Sequence, residues 1–475
     1  MMNIFLVAEP VAAALIMLLL KGRSIAVRTI LLFAAILHVC GTLCIFCFPE
    51  SPITQDILPE WIGTDNLSII FLAIISFLFL CSSAHGWFWL PAAGKYENHG
   101  GEGIPEHIFC AATAVFVAAM TLAVCARNLG LLWVAVEATT LASAPLIMFH
   151  RSKSALEAMW KYLLICSVGI ALALLGTFML EVAVRNPDGS APGLNIALLQ
   201  SPELVINTEW FKAAFIFCFA GYGLKMGLAP FHFWLPDAHS EAPSMVSVML
   251  SGALLNCSFL GIIRVISIAP ESLHGFCNEL LIAFGVMSLL TAAIFMIRQG
   301  DFKRMLAYSS CEHMGLLAVF WGLNEYETGL LHMGLHSLCK MLLFLTAGNI
   351  LLACGSRSIK KVSGIFGSLP VNALVWCVGI LMICGMPPSP LFITEYRLVM
   401  AAGGVLGGII LFLLFIVFAA MTAAALRMTA GGSGKESIRP EAGKTAEELA
   451  FLPCCLLAGV VCVGILLTVR EAGLI

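Results

Sequence analysis

Charge is what this sequence has least of. Only 11% of its 475 residues are Asp, Glu, Lys or Arg, against 60% hydrophobic, which excludes a water-soluble globular fold of this length. Polar blocks large enough for a soluble domain are missing as well, so residues 1–475 read as a single polytopic membrane domain. The net charge of −3 is too small to point to nucleic acid. There is no disulfide framework: the 18 cysteines are scattered through apolar runs, where a thiol behaves as a small buried hydrophobe. Cys44 and Cys47 form a lone CxxC, and Cys454 adjoins Cys455, but neither has the further ligands of a zinc site, so no metal is assigned. No basic stretch precedes the first apolar run and no small-residue cleavage site follows it, so residues 1–20 read as a retained helix. Nucleotide loops, flavin motifs and cluster-type cysteine spacings are also missing, which places any redox chemistry outside this chain.

What is present is a succession of apolar runs. Hydropathy predicts an all-α protein of about fourteen spans, from 3–20 to 449–468. With the connections assigned alternately to two sides, one side collects 17 of the 25 Lys and Arg residues, Lys435 and Arg439 among them. Six fall on the other side, and Lys225 and Lys340 lie inside spans. The excess of basic residues marks the cytoplasmic side and predicts both termini outside the cytoplasm. The second connection agrees, since it holds Glu50, Asp56, Glu60 and Asp65 and no basic residue.

Two spans are interrupted. Residues 221–244 read GYGLKMGLAPFHFWLPDAHSEAPS, with Lys225 inside an apolar run and Pro230 five residues later, where a backbone donor is lost. Residues 385–395 read GMPPSPLFITE, three prolines followed by Glu395. The breaks at Pro230 and Pro387 fall in the fourth span of two successive sets of five, 108–266 and 277–427. Five crossings per set give the sets opposite orientation, an inverted-repeat plan known in transporters. Residues 1–107 supply three helices before them and 449–468 the last helix.

Ionisable groups at membrane depth are costly and are functional candidates by default. Lys225 is one; a snorkelling lysine is the alternative, and its apolar flanks on both sides argue against it. Glu137 is the only charge in its span, with Thr139, Thr140 and Ser143 nearby. Lys225 is a candidate partner for it, either as a proton-loading pair or as a fixed structural ion pair. His332, His336 and Lys340 recur at i, i+4 and i+8 and share one helical face. This is the pattern of a proton relay, with a structural His pair or metal ligation as rivals. Glu395 is a candidate terminal acid with which Arg397 could pair; if Arg397 faces solvent instead, Glu395 reads as a helix cap. Asp237, His239 and Glu241 read as a structured turn capping the next helix rather than as a relay. Asp301, Lys303 and Arg304 read as an ordinary cytoplasmic connection.

At these residues the sequence resembles the antiporter-like, proton-pumping subunits of respiratory complex I, of Mrp antiporters and of membrane-bound nickel–iron hydrogenases. The resemblance spans roughly residues 67–427. It is carried by FHFWLPDAHSEAPS after Lys225, in which His232 is the first histidine, and by RQGDFKRMLAYSSCEHMG from Arg298 to Gly315. VEATTLASA, ALEAMWKYLLICSVG, LLNCSFLGIIR and GMPPSPLF are most like the hydrogenase-4 component F branch. The resemblance implies a fold of two inverted five-helix units. It implies proton transfer through Glu137, Lys225, His332, His336, Lys340 and Glu395, with His232, Asp237, His239 and Glu241 lining the path or serving structure. Many complex I relatives have a lysine in the eighth helix where this chain has Asn256, so transfer there would need ordered water.

The expected function is therefore a proton-translocating membrane subunit of a hydrogenase-4, formate-hydrogenlyase-type or complex I-like oxidoreductase, in a bacterial or archaeal cytoplasmic membrane. No cofactor is expected in this chain. Nickel–iron and iron–sulfur centres are expected in partner subunits, both membrane-embedded and peripheral. The alternatives are a subunit of an Mrp-type Na+/H+ antiporter and a structural membrane anchor without transport.

Overall fold

A computed structural model describes residues 1–49, 56–96, 103–430 and 440–471. Glu50, Lys435 and Arg439, used in the charge argument, lie outside the described residues. In lipid, backbone N–H and C=O groups must be satisfied within the segment, so apolar runs of this length close as helices. In chain order these are α1 (Met2–Leu19), α2 (Ser24–Cys47), α3 (Asn66–Tyr96), α4 (Glu106–Cys125), α5 (Leu129–Ile147) and α6 (Lys153–Ala183). Then come α7 (Thr208–Met226), α8 (Trp234–Glu241), α9 (Ser244–Ile266), α10 (Glu271–Met296), α11 (Phe302–Gly322) and α12 (Tyr326–Cys354). The last are α13 (Pro370–Ile383), α14 (Pro390–Ala402), α15 (Gly404–Ala430), α16 (Pro440–Glu448) and α17 (Phe451–Glu471). Among the described residues, 11 helical stretches are long and apolar enough to cross a membrane. Helices α7 and α11 have the length but are not among them: α7 carries Glu209, Lys212 and Lys225, and α11 carries Lys303, Arg304 and Glu312.

Both proline breaks are present. Helix α7 ends at Met226, and Gly227 takes the left-handed conformation at φ +84°. The Leu224 carbonyl near this end accepts from Trp234 Nε1 at 3.0 Å. Helix α13 ends at Ile383, whose carbonyl is taken by His313 Nε2 at 3.1 Å, while Ser389 caps α14. Peptides 229–230 and 387–388 are cis.

The residues form two compact units. Unit one comprises residues 1–83, 103–234 and 253–280. Its tightest packing joins α6 to α7. A Cβ on Gly221 would lie 2.4 Å from the Gly169 carbonyl oxygen, so the backbones touch where only glycine fits. One turn further along α7 is Lys225. An antiparallel pair of two-residue strands, β1 (Val184–Arg185) and β2 (Val205–Ile206), closes the connection between these helices. Asp65, just before α3, holds Arg264 of α9 in a bidentate pair.

Unit two comprises residues 84–102, 235–252 and 281–475. Helix α12 is its centre and packs on α11, α13, α14, α16, α17 and the start of α9. Two readings of the sequence are corrected here. The stretch after Pro236 is part of a helix, α8, rather than a turn. The connection before α11 is not ordinary either: Lys303 is 1% exposed, with its ammonium on the Ala242 carbonyl, and Arg304 pairs with Asp237. Lys303 finds the acceptor a buried cation needs in a backbone carbonyl just past α8, and Arg304, partly exposed, finds its partner in the Asp237 carboxylate of α8.

Candidate functional site

In unit one the site is built on three helices. Close packing of α7 on α6 carries the Lys225 side chain fully out of solvent. Its Nζ donates to Thr140 Oγ1 of α5 at 2.7 Å and to Tyr162 OH of α6 at 2.8 Å, and lies 4.7 Å from the centre of the Tyr162 ring. Tyr162 is held in turn by Ser143 Oγ at 2.7 Å and packs on Trp234. Glu137 is half-buried one turn before Thr140. Its carboxylate accepts from Ser167 Oγ at 2.7 Å and, more weakly, from Thr140 Oγ1 at 3.4 Å. Glu137 and Lys225 therefore share Thr140 instead of forming a direct ion pair. Hydroxyls can both accept and donate, so this cage can serve an ammonium and can also offer a hydrogen to a neutral amine.

In unit two the face of α12 carries His332, His336 and Lys340, all fully buried. Lys340 Nζ donates to the Leu306 carbonyl of α11 at 2.6 Å. His332 Nδ1 is 2.9 Å from Thr394 Oγ1 of α14, and its Nε2 is 3.0 Å from His313 Nδ1 of α11. The His313 ring lies 4.8 Å from that of His336. Neither nitrogen of His336 has a hydrogen-bond partner among the described residues, although both are buried; groups in that state are normally satisfied by water. Glu395 is 7% exposed and packs under Gly385, where an added Cβ would lie 2.1 Å from Glu395 Oε2. Arg397 is exposed and is not the partner of Glu395, because two residues along α14 it points from a different face.

The remaining sequence candidates separate into kinds. Asp237 pairs with Arg304, and Glu241 pairs with Arg357 at 2.9 Å, so both tie α8 to its neighbours. His239 of the same helix is fully buried, stacks on Phe344 of α12, and among the described residues has no hydrogen-bond partner for either nitrogen. In unit one His232 is buried in the Pro230 break and Asn256 is buried on α9, two residues past a π-helical turn at Leu250–Leu254. The sequence reading passed over Tyr162, Glu312 and His313. Glu312 is 4% exposed in the middle of α11, and the signal that marked Lys225, a charge inside a span, marks it too. Among the described residues no group of three or more His, Cys, Asp or Glu is placed to hold a metal ion.

The sequence profile of the NADH:quinone oxidoreductase/Mrp antiporter transmembrane family matches residues 126–422. The chain belongs to this family. A hydrogenase-4 component F homolog of Methylacidiphilum infernorum is 34% identical over 347 residues, 71% of this chain and 72% of that protein. A Na+/H+ antiporter subunit of Alkalihalophilus pseudofirmus is 31% identical over 351 residues, 70% of this chain and 41% of that much longer protein. The fold is similar to a chain of the membrane-bound sulfane sulfur reductase, an archaeal respiratory membrane complex, with a TM-score of 0.83 at 20% identity, covering 98% of this chain and 94% of that one. This family member is thus a multi-pass, antiporter-like integral membrane protein, as its motifs predict. Both lysine sites fall inside the matched residues.

Proposed function

We propose that this chain is the proton-translocating membrane subunit of a hydrogenase-4 or formate-hydrogenlyase-type complex, or of a related complex I-like oxidoreductase. The observation that carries the reading is Lys225: a fully buried amine held by two hydroxyls, with a carboxylate on the far side of one of them. Lys225 loads and releases the proton, Thr140 and Tyr162 keep the amine hydrogen-bonded in both states, and Glu137 provides the charge that draws the proton in. In unit two, Lys340 exchanges protons through His336, His313 and His332 toward Thr394 and Glu395, with water completing the contacts at His336. Asn256, His232 and His239 line these routes. Partner subunits, membrane-embedded and peripheral, carry the nickel–iron and iron–sulfur centres that drive the cycle.

The reading extends to architecture. Adding α7, α11 and the broken α13–α14 pair to the 11 apolar stretches gives fourteen crossings, with residues 108–266 and 277–427 as inverted five-helix units. The basic residues then place both termini outside the cytoplasm. The test is the assembled complex in proteoliposomes with Lys225→Ala or Glu137→Gln. Assembly and electron transfer are expected to persist while proton translocation is lost; a normal proton gradient from the Lys225→Ala complex contradicts the reading.

A second reading, as part of an Mrp-type Na+/H+ antiporter, is favoured by the likeness to the Alkalihalophilus pseudofirmus antiporter protein. Sodium-dependent proton flux without any redox donor decides for it.

A further inference from the structure

A second set of buried polar groups in unit two uses none of the residues assigned above. His85 of α3 is 3% exposed, and its Nε2 lies 3.1 Å from Asn349 Oδ1 on α12. Asn349 Nδ2 donates to Asn372 Oδ1 of α13 at 3.1 Å. Asn372 Nδ2 donates to the Ala446 carbonyl at 2.8 Å and to Glu447 Oε2 at 2.9 Å, both on α16. Glu447 Oε1 accepts the Val371 backbone N–H. Asn349 and Asn372 are fully buried, and Ala446 packs against Ala353 and Leu369 beside them.

The outer end of this chain of bonds decides the polarity of the whole. A backbone carbonyl only accepts, so Asn372 must turn its NH2 toward Ala446, and the Glu447 carboxylate requires the same. The Asn372 oxygen then faces Asn349, which must answer with its own NH2. That leaves the Asn349 oxygen for His85, whose Nε2 must carry a hydrogen. Each bond removes a choice that an isolated amide or imidazole would keep. Neutral His85 is therefore the Nε2–H tautomer, with its lone pair on Nδ1.

His85 Nδ1 is buried and has no hydrogen-bond partner among the described residues. The same is true of Trp89 Nε1, one turn along α3, and of Ser244 Oγ at the start of α9. The last two converge on Gly348 of α12, where an added Cβ would lie 2.8 Å from Ser244 Oγ and 3.6 Å from Trp89 Nε1. An indole donor and a hydroxyl beside Gly348, one turn along α3 from an imidazole acceptor, are the kind of polar set that holds a buried water.

We propose that His85 is a further proton-loading site of unit two, exchanging its proton at Nδ1, and that Asn349, Asn372 and Glu447 are positioning residues that fix its tautomer. On loading, the Nδ1 lone pair forms an N–H bond with a proton delivered by water and the ring becomes imidazolium. Release breaks that bond, and the Nε2–H bond to Asn349 persists throughout. This rests on the reading of the chain as a proton carrier.

The test uses the intact complex in bilayers with 15N-labelled histidine. His85 resonances are assigned by difference against His85→Gln, whose amide keeps a donor for Asn349 but has no titratable nitrogen. Neutral His85 is expected to show protonated Nε2 and bare Nδ1, and Asn372→Leu is expected to give a tautomer mixture. Redox-driven pumping by His85→Gln is expected to fall roughly tenfold. A native Nδ1–H tautomer, or native pumping by His85→Gln, overturns the proposal. A Lys225→Ala complex run alongside separates the failures: if it pumps normally, the underlying reading falls, and if it does not, only His85 is removed from the path.

Discussion

The buried lysines Lys225 and Lys340 are solvated in different ways. In unit one Lys225 is held by two hydroxyls, Thr140 and Tyr162, and reaches the Glu137 carboxylate only through Thr140. In unit two Lys340 is held by the Leu306 carbonyl and shares its helix face with two imidazoles. A hydroxyl can donate to the lone pair of a neutral amine, whereas a carbonyl cannot. Lys225 can therefore be satisfied by its own cage before and after it gives up a proton. Lys340 needs a donor from an imidazole or from water whenever it is neutral. The comparison separates a self-contained loading site from one whose proton exchange is tied to a histidine line.

The largest effect that bears on this contrast comes from removing each amine. Lys225→Ala and Lys340→Ala are each expected to lower redox-driven proton translocation by about a hundredfold, measured by a pH-sensitive dye in proteoliposomes at constant electron transfer. If only one of the two loses pumping, the sites are not both on the path.

Next comes the packing that aims each site. Gly221→Ala pushes into the Gly169 carbonyl of unit one, and Gly385→Ala pushes into the Glu395 carboxyl of unit two at a backbone φ of +65°. Each is expected to destabilise by about 1–3 kcal/mol, read as a lower thermal transition of the purified complex. Unchanged transitions would mean that neither glycine supports its site.

A smaller effect sharpens the difference between the cages. Tyr162→Phe removes one of the hydroxyl partners of Lys225 and is expected to slow proton uptake by about fivefold to tenfold, in line with a net hydrogen bond of about 1 kcal/mol. Ser310→Ala, beside the Leu306 carbonyl that receives Lys340, is expected to leave uptake unchanged. Equal losses would erase the distinction.

The smallest effect lies outside the membrane. Burial alone would raise the Asp65 carboxyl, but the bidentate Arg264 guanidinium and the Ser68 donors hold it at about 2, below its ordinary 3.8. A carboxyl depressed in the folded state adds stability above its unfolded value, and that stability is lost as the pH falls from 3.8 through 2. Because Asp65 is half exposed, Asp65→Asn is expected to cost within about 1 kcal/mol at neutral pH, a difference from wild type that vanishes in acid denaturation near pH 2. A difference that persists there would mean Arg264 does not act through this carboxylate.

Much of this was legible in the sequence for simple reasons. Lipid leaves an apolar run no alternative to a helix. A proline alone does not break one, since Pro10, Pro91 and Pro145 lie inside α1, α3 and α5; the breaks at Pro230 and Pro387 were legible because glycine, further prolines and an ionisable group cluster with each. Lys225, Glu137, His332, His336 and Lys340 stood out because charge is rare in such runs. The partners were not legible. Tyr162 and Ser167 are unremarkable residues on another helix, and nothing local says that Thr140 would stand between a carboxylate and an amine. Lys303 looked like a surface residue because its acceptor, Ala242, is 61 residues away. Glu312 and His313 carried the same local signal inside the predicted span 306–322, but the groups that His313 meets, His332 of α12 and the Ile383 carbonyl, lie on other elements.

The most direct test of the central claim is the proton-to-electron ratio of the complex carrying Lys225→Arg. Arginine keeps the positive charge and can reach the same hydroxyls, but a guanidinium does not give up its proton in a protein. If Lys225 works by loading and releasing a proton, electron transfer continues and the ratio falls to that of Lys225→Ala. A native ratio in the arginine variant would show that only the charge matters, and would contradict the account.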